Sequence, residues 1–201
     1  VLNSTNTVEL TFLNEFQVDA CLLLSTPGQY GLNSLAEILA GKASPSGRLT
    51  DTWCYNNFAA PAMWNFTPVP YENAEELGVP SNADTYQVHQ EGTYVGYRYF
   101  DSFGVEPAYP FGFGLSYTDF EFKKMKIEPV QGGWKVMVTV ENVGKVKGKD
   151  VVQLYVRAPG KDMDKPAREL KGFAKTPSLN PGETCTVEIF VAYETLASYD
   201  D

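Results

Sequence analysis

Four runs in the C-terminal part of the chain alternate apolar and polar residues with a period of two. They are Phe120 and Phe122, then Trp134, Val136, Val138 and Val140, then Val152, Leu154 and Val156, and finally Val187, Ile189 and Val191. Successive side chains on a strand point to opposite faces, so each run reads as a half-buried strand with one face on a core. Gln131-Gly-Gly133, Asn142-Val-Gly144, Ala158-Pro-Gly160 and Asn180-Pro-Gly182 punctuate them, and each composition favours a turn. This pattern points to an antiparallel β-sandwich of immunoglobulin or fibronectin type over residues 115–201.

The preceding residues follow another rule. Asp19-Ala-Cys-Leu-Leu-Leu-Ser25 is the continuous apolar run of a fully buried parallel strand. Thr26-Pro-Gly-Gln-Tyr-Gly31 is a turn, after which Leu32, Leu35, Ala36 and Leu39 share one helical face and Gly41 supplies a stop. Strand, glycine-containing loop and helix make half of a βαβ unit, so residues 1–114 read as α/β, a partial α/β sandwich ahead of the all-β sandwich. From about 54 to 93 no period persists, and a segment of that length is functional or anchored elsewhere. Aromatic residues and glycines then crowd Tyr94–Asp101 and Tyr109–Thr118, which predicts irregular turns beneath packed rings.

Charge divides the chain at the same place. Residues 1–110 hold three basic and twelve acidic residues, whereas residues 111–201 hold thirteen of each. The net charge of −9 argues against nucleic acid and anionic membrane as partners. No apolar run is long enough to span a bilayer, and no basic-then-apolar leader opens the chain. Cys21, Cys54 and Cys185 read as three free thiols, which leans toward a reducing, cytoplasmic compartment, although the compartment stays unknown. Asn3-Ser-Thr5 and Asn65-Phe-Thr67 fit glycosylation sequons, which matter only in a secreted setting.

Several motifs together resemble one family. Pro27-Gly-Gln-Tyr-Gly31, Leu35-Ala-Glu-Ile-Leu-Ala-Gly41 and Ser44-Pro-Ser-Gly-Arg-Leu49 are similar to a segment of glycoside hydrolase family 3. Glu91-Gly-Thr-Tyr-Val-Gly-Tyr-Arg-Tyr-Phe-Asp101 and Pro110-Phe-Gly-Phe-Gly-Leu-Ser-Tyr-Thr118 resemble its later motifs, in the family's order. The resemblance implies a β-glucosidase or β-xylosidase type of parent that hydrolyses terminal β-linked sugars with retention. Its partners would be a β-linked oligosaccharide or glycoside and a (β/α)8-type barrel domain. By the same resemblance the aspartate nucleophile belongs to that barrel and the acid/base glutamate precedes the strand resembled by Val1-Leu-Asn-Ser4, so the chain reads as an internal, inactive piece of a longer enzyme. A fibronectin-like final strand is expected beyond Tyr199. A homo-oligomer is left open, and no cofactor is implied.

Within the chain, Glu91 is the carboxylate candidate for a general acid, because it follows the long segment beside His89. The alternative is an ion pair with Arg98 or a turn cap, and Asp101 is likewise expected to pair with Arg98. Trp53, Tyr55, Trp64, Phe66 and His89 are candidates for a substrate rim, since aromatic rings pack on the C–H faces of sugars. Covering a core is the alternative role for the rings. Gly92, Gly96, Tyr97, Arg98, Asp101, Gly112 and Gly114 are read as a structural motif that locks the two units together. Gly28 and Gly31 are assigned to packing in preference to anion binding. The single histidine lacks partners at ligand spacing, and Glu72, Glu75 and Glu76 lack the Asp/Asn alternation of a calcium loop, so no metal is expected. The competing reading is a non-catalytic carbohydrate-binding or adhesion β-sandwich module, against which the half βαβ unit of residues 1–53 speaks.

Overall fold

A computed structural model describes residues 1–80, 82–83, 85–160 and 163–198. The chain opens with β1 (Leu2–Asn3), α1 (Thr11–Glu15), β2 (Leu23–Leu24) and α2 (Gly31–Leu39). β1 and β2 are parallel, with Leu2 opposite Leu23. The ladder is shorter than the apolar run suggests, and Leu23 and Cys21 are exposed rather than fully buried. Parallel strands become buried only when helices or sheets cover both faces, and among the described residues these faces are not covered. α2 ends as its sequence predicts. Gly41 takes φ +70°, its N–H donates to Ile38 O (2.9 Å), and Lys42 N–H donates to Glu37 O (2.8 Å). That pair of bonds is the Schellman motif, which the missing Cβ of glycine makes inexpensive. Leu32 and Leu39 on this helix are exposed.

The long middle segment contains short 3-10 turns at Asn57–Ala59 and Pro61–Asn65, and a minimal antiparallel ladder of β3 (Val69–Pro70) and β4 (Thr85–Tyr86). A difference from expectation follows. Residues of the aromatic stretch form a helix, α3 (Tyr97–Phe103), not irregular turns. Gly96 before it and Gly104 after it both have positive φ, +58° and +65°, so the glycines delimit a helix of two turns.

The remainder is the β-sandwich: β5 (Phe120–Val130), β6 (Gly133–Asn142), β7 (Val151–Val156), β8 (Glu169–Lys175) and β9 (Thr184–Ala192). One sheet has the order β5-β6-β9 and is antiparallel throughout, and β7 pairs β8 in the other. Val136, Val138 and Val140 of β6 stand opposite Ile189, Val187 and Cys185 of β9, and with Val152 and Val191 they form the main core. At Gly172 a Cβ would lie 2.4 Å from Ile189 Cγ2, so glycine is what lets β8 approach β9. A smaller core holds Leu10, Leu13 and Trp53, flanked by Leu2, Leu49 and Tyr109.

Backbone bonds stitch residues 49–53 to 109–113. Leu49 N–H donates to Phe113 O (2.8 Å), and Trp53 and Tyr109 exchange both of theirs (2.9 and 3.0 Å). This ribbon fixes the glycine- and aromatic-rich segment against the α/β part and aims α3 at the sandwich. No helix among the described residues is long and apolar enough to cross a membrane.

Candidate functional site

Tyr97, Arg98, Asp101 and Gly112 of the motif meet the sandwich on its β7–β8 side, whereas Gly114 packs on Gly47 and Arg48. The Tyr97 hydroxyl oxygen accepts from Leu170 N–H (2.7 Å), and its ring packs on Phe111 (4.8 Å) and edge-on to Tyr155 (5.8 Å). Ser102 Oγ accepts from Ala167 N–H (2.9 Å), and Tyr94 OH donates to Asp164 Oδ1 (2.5 Å). The ion pairs differ from expectation. Arg98 Nε lies 3.4 Å from Glu169 Oε1, so Arg98 is the partner of neither Glu91 nor Asp101. Asp101 instead receives Arg168 through two bonds, Nε to Oδ2 (2.7 Å) and Nη2 to Oδ1 (3.2 Å). Spacing in sequence favoured Arg98, and residues three apart do share a helix face, but that face meets the sandwich, where Glu169 and Arg168 supply each of them with an opposite charge. The Asp101 bonds push the Arg168 guanidinium toward still stronger basicity. The guanidinium carbon lies over the Tyr155 ring, 4.9 Å from the centroid, and burial pushes the Tyr155 phenol up. An open groove of about 540 Å³ lies outside this pair, lined by Asp101, Tyr155, Arg157, Ala167 and Arg168.

The glycines of the motif serve geometry. Gly92 and Gly112 have φ of +54° and +80°. Gln153 Nε2 donates to Gly112 O (3.0 Å), and a Cβ on Gly112 would fall 2.0 Å from Gln153 Oε1. At Gly114 a Cβ would fall 2.4 Å from Gly47 O, a backbone atom that cannot swing away. Gly31 has the same function at the start of α2, where a Cβ would sit 2.6 Å from Pro27 Cβ.

The rim candidates do not stay together. Trp53 is buried, 4% exposed, between Leu10 and Leu13, so it covers a core and offers no face to a ligand. Trp64 (74% exposed) and Phe66 (68%) stand out from the 3-10 turn, and Tyr55 is half exposed. Phe58 joins them at the surface, a residue that its Asn-rich surroundings gave no periodic reason to select. Trp64 Nε1 donates to Phe58 O (3.0 Å), and Asn56 Oδ1 caps the first turn by accepting from Phe58 N–H (2.9 Å). Glu9 Oε1 accepts from Asn57 N–H (3.0 Å) and ties the segment to α1's approach. Tyr71, just after β3, packs on Tyr86 of β4 with ring centroids 4.9 Å apart and planes tilted by 47°. These exposed rings can pack on the apolar face of a sugar, and neighbouring carbonyls can accept its hydroxyls.

Glu91 is half buried, and its backbone O accepts from Tyr94 N–H (2.8 Å) in a turn. Among the described residues its carboxylate has no ion pair or hydrogen bond, and exposed His89 likewise has none. Glu72, Glu75 and Glu76 are exposed, and no group of three or more His, Cys, Asp or Glu side chains among the described residues could hold a metal. Burial pushes the Cys54 thiol up, which keeps it protonated and a poor nucleophile.

Comparison with known proteins agrees with this architecture. Residues 1–117 match the glycosyl hydrolase family 3 C-terminal domain, and residues 150–201 match the fibronectin type III-like domain. A beta-glucosidase from Ruminococcus albus is 37% identical over all of this chain, which covers 20% of that protein. The thermostable beta-glucosidase B of Acetivibrio thermocellus is 36% identical, with 25% of its length covered. The solved structure of beta-glucosidase 3B from Thermotoga neapolitana superimposes on 99% of the chain with a TM-score of 0.84 at 38% identity, over 26% of its own length. The chain thus spans about a fifth to a quarter of the length of the relatives it matches. On sequence, on fold and on the order of its two parts, the chain belongs to glycosyl hydrolase family 3, as its C-terminal portion.

Proposed function

We propose that the chain forms one wall of the sugar pocket, and the interdomain scaffold, of a retaining β-glucosidase or β-xylosidase. The observation that carries this reading is the exposed aromatic group on an irregular segment, Trp64 and Phe66 above all, in a family 3 chain. Retention of configuration requires two carboxylates about 5–5.5 Å apart, one attacking the anomeric carbon and one protonating the leaving oxygen. A (β/α)8-type barrel supplies the nucleophile in this proposal, and residues 1–114 present the aromatic rim to it. Residues 115–201 act as the buttress. Trp53 has no place in the rim, since it is buried.

The chain alone is then inactive toward a nitrophenyl β-glucoside. Turnover by the isolated chain that disappears in Glu91→Gln would reverse this and make Glu91 the acid. In a polypeptide that also carries the barrel, Trp64→Ala is expected to raise KM about fivefold, in line with the ~1 kcal/mol typical of an aromatic contact. Tryptophan fluorescence gives a second check. Millimolar binding of cellobiose by the chain alone would favour a free-standing carbohydrate-binding module, and a flat titration supports the two-sided pocket.

A further inference from the structure

Thr52 Oγ1 is buried at the junction and has no hydrogen-bond partner among the described residues. A buried hydroxyl left unpaired is destabilising, and native proteins satisfy such groups with protein or with ordered water. Thr52 lines a small cavity with Asp101, Tyr155 and Arg168, closed by proline and aromatic walls, in which the centre of a water has about 10 Å³ to occupy. A space of that order holds one water, provided that two to four polar partners surround it.

We propose that this cavity is a binding site for a single structural water that joins Thr52 to the α3–sandwich junction. The lining has the required capacity. Asp101 engages Arg168 with one bond on each carboxylate oxygen, so each oxygen keeps a lone pair for a further donor. The Tyr155 hydroxyl donates to Gln153 Oε1 (2.8 Å), which leaves its oxygen able to accept. The water therefore donates hydrogen bonds to these acceptors and accepts one from the Thr52 hydroxyl. An entry path exists as well, because the wide outer groove shares Asp101, Tyr155 and Arg168 with the cavity. The water would tie the 49–53 ribbon, whose backbone bonds run to residues 109–113, to the contact that α3 makes with β8 through Tyr97 and Leu170.

The sign of one substitution separates a wet cavity from a dry one. Valine matches threonine in shape and lacks the hydroxyl, so Thr52→Val in a dry cavity removes an unpaired group and raises Tm. With the water present, the same change removes one of its partners, and Tm of the full chain is expected to fall by about 2–4 °C. Thr52→Ser keeps the hydroxyl and is expected to melt nearer the wild type than the valine variant. A Thr52→Val protein that melts at or above the wild type would overturn the proposal. A direct measurement on the unaltered chain stands independently of either variant. A crystal structure or water-edited NMR is expected to place an ordered water within hydrogen-bond distance of Thr52 Oγ1, and its absence there would overturn the proposal whatever the melting curves give.

Discussion

Asn142 is completely buried, and its amide is fully occupied at one end of the sandwich. Nδ2 donates to Val146 O (2.8 Å) and Leu179 O (2.9 Å), while Oδ1 accepts from Thr118 Oγ1 (2.7 Å) and Gly144 N–H (3.1 Å). Leucine has similar volume and can answer none of these groups. Because each stranded buried polar group costs about 1–3 kcal/mol, Asn142→Leu is expected to cost roughly 3 kcal/mol or more. The check is a lower denaturant midpoint at an unchanged m-value. The three thiols make a separate prediction at this scale. Cys21 is exposed, whereas burial raises both the buried Cys54 and the half-buried Cys185, the latter helped by Glu183. Only the thiolate reacts, so a disulfide reagent at mildly alkaline pH is expected to label Cys21 rapidly and the others only after unfolding. The sign for stability follows from the raised values. Below the unfolded thiol's pKa both states are protonated and the contribution is complete; as pH climbs toward the higher folded values only the unfolded chain ionises, and stability is lost.

Elements differ in how openly the sequence announces them. β6 and β9 are legible because one face meets the core and the other is more open, which writes a period of two directly into the residues. β7 keeps the same alternation of Val152, Leu154 and Val156 because its second face, with Gln153 and Tyr155, meets the polar junction. β8 is hidden. Its pairing slips at Leu154/Tyr155, and Gly172 replaces a core side chain so that Ile189 can approach, so no alternation survives. α3 is hidden for a different reason: seven residues are too few to show a helical period, and only the glycines at its two ends mark it. At the site, sequence reasoning picked out Trp64 and Phe66, which lie exposed, but could not separate them from Trp53, because a ring's burial depends on partners 40 residues away such as Leu10 and Leu13. The Asp101–Arg168 pair was invisible for the same reason of distance along the chain. These features make α3 a sensitive element. Gly96 has φ +58° and ψ −131°, a region closed to residues with a Cβ, so Gly96→Ala is expected to cost about 1–3 kcal/mol. Tyr97→Phe strands Leu170 N–H and is expected to cost about 1–2 kcal/mol. Thermal melts of both variants measure the two effects, and equality with the wild type would mean that α3 does not depend on its entry or its contact with β8.

For the whole molecule, the question is whether the α/β part and the sandwich unfold together. The seam between them is polar and continuous. Arg48 donates to Asp150 Oδ1 and to Gly114 O, and Ser44 Oγ and Ser116 Oγ are 2.8 Å apart. Tyr117 OH donates to Ile38 O at the end of α2 (3.0 Å). Arg48 and Asp150 are only 17% and 10% exposed at their side chains, and Asp150 also accepts from Val151 N–H (2.8 Å). Removing one member of such a pair leaves the other buried without its counter-charge, a loss of about 3–5 kcal/mol, whereas replacing both with apolar residues loses much less. Arg48→Met is therefore expected to lower Tm far more than Arg48→Met combined with Asp150→Leu. Calorimetry should read this as one transition for the wild type and a separated, earlier transition for the single variant, with the sandwich melting later. The sandwich has its own core of Val136, Val138, Val140, Val187, Ile189 and Val191, while the smaller core of Leu10, Leu13 and Trp53 has less apolar surface to hold it once the seam opens. Two transitions already present in the wild type would mean that the polar seam transmits nothing, and the buttress role proposed for residues 115–201 would fall with it.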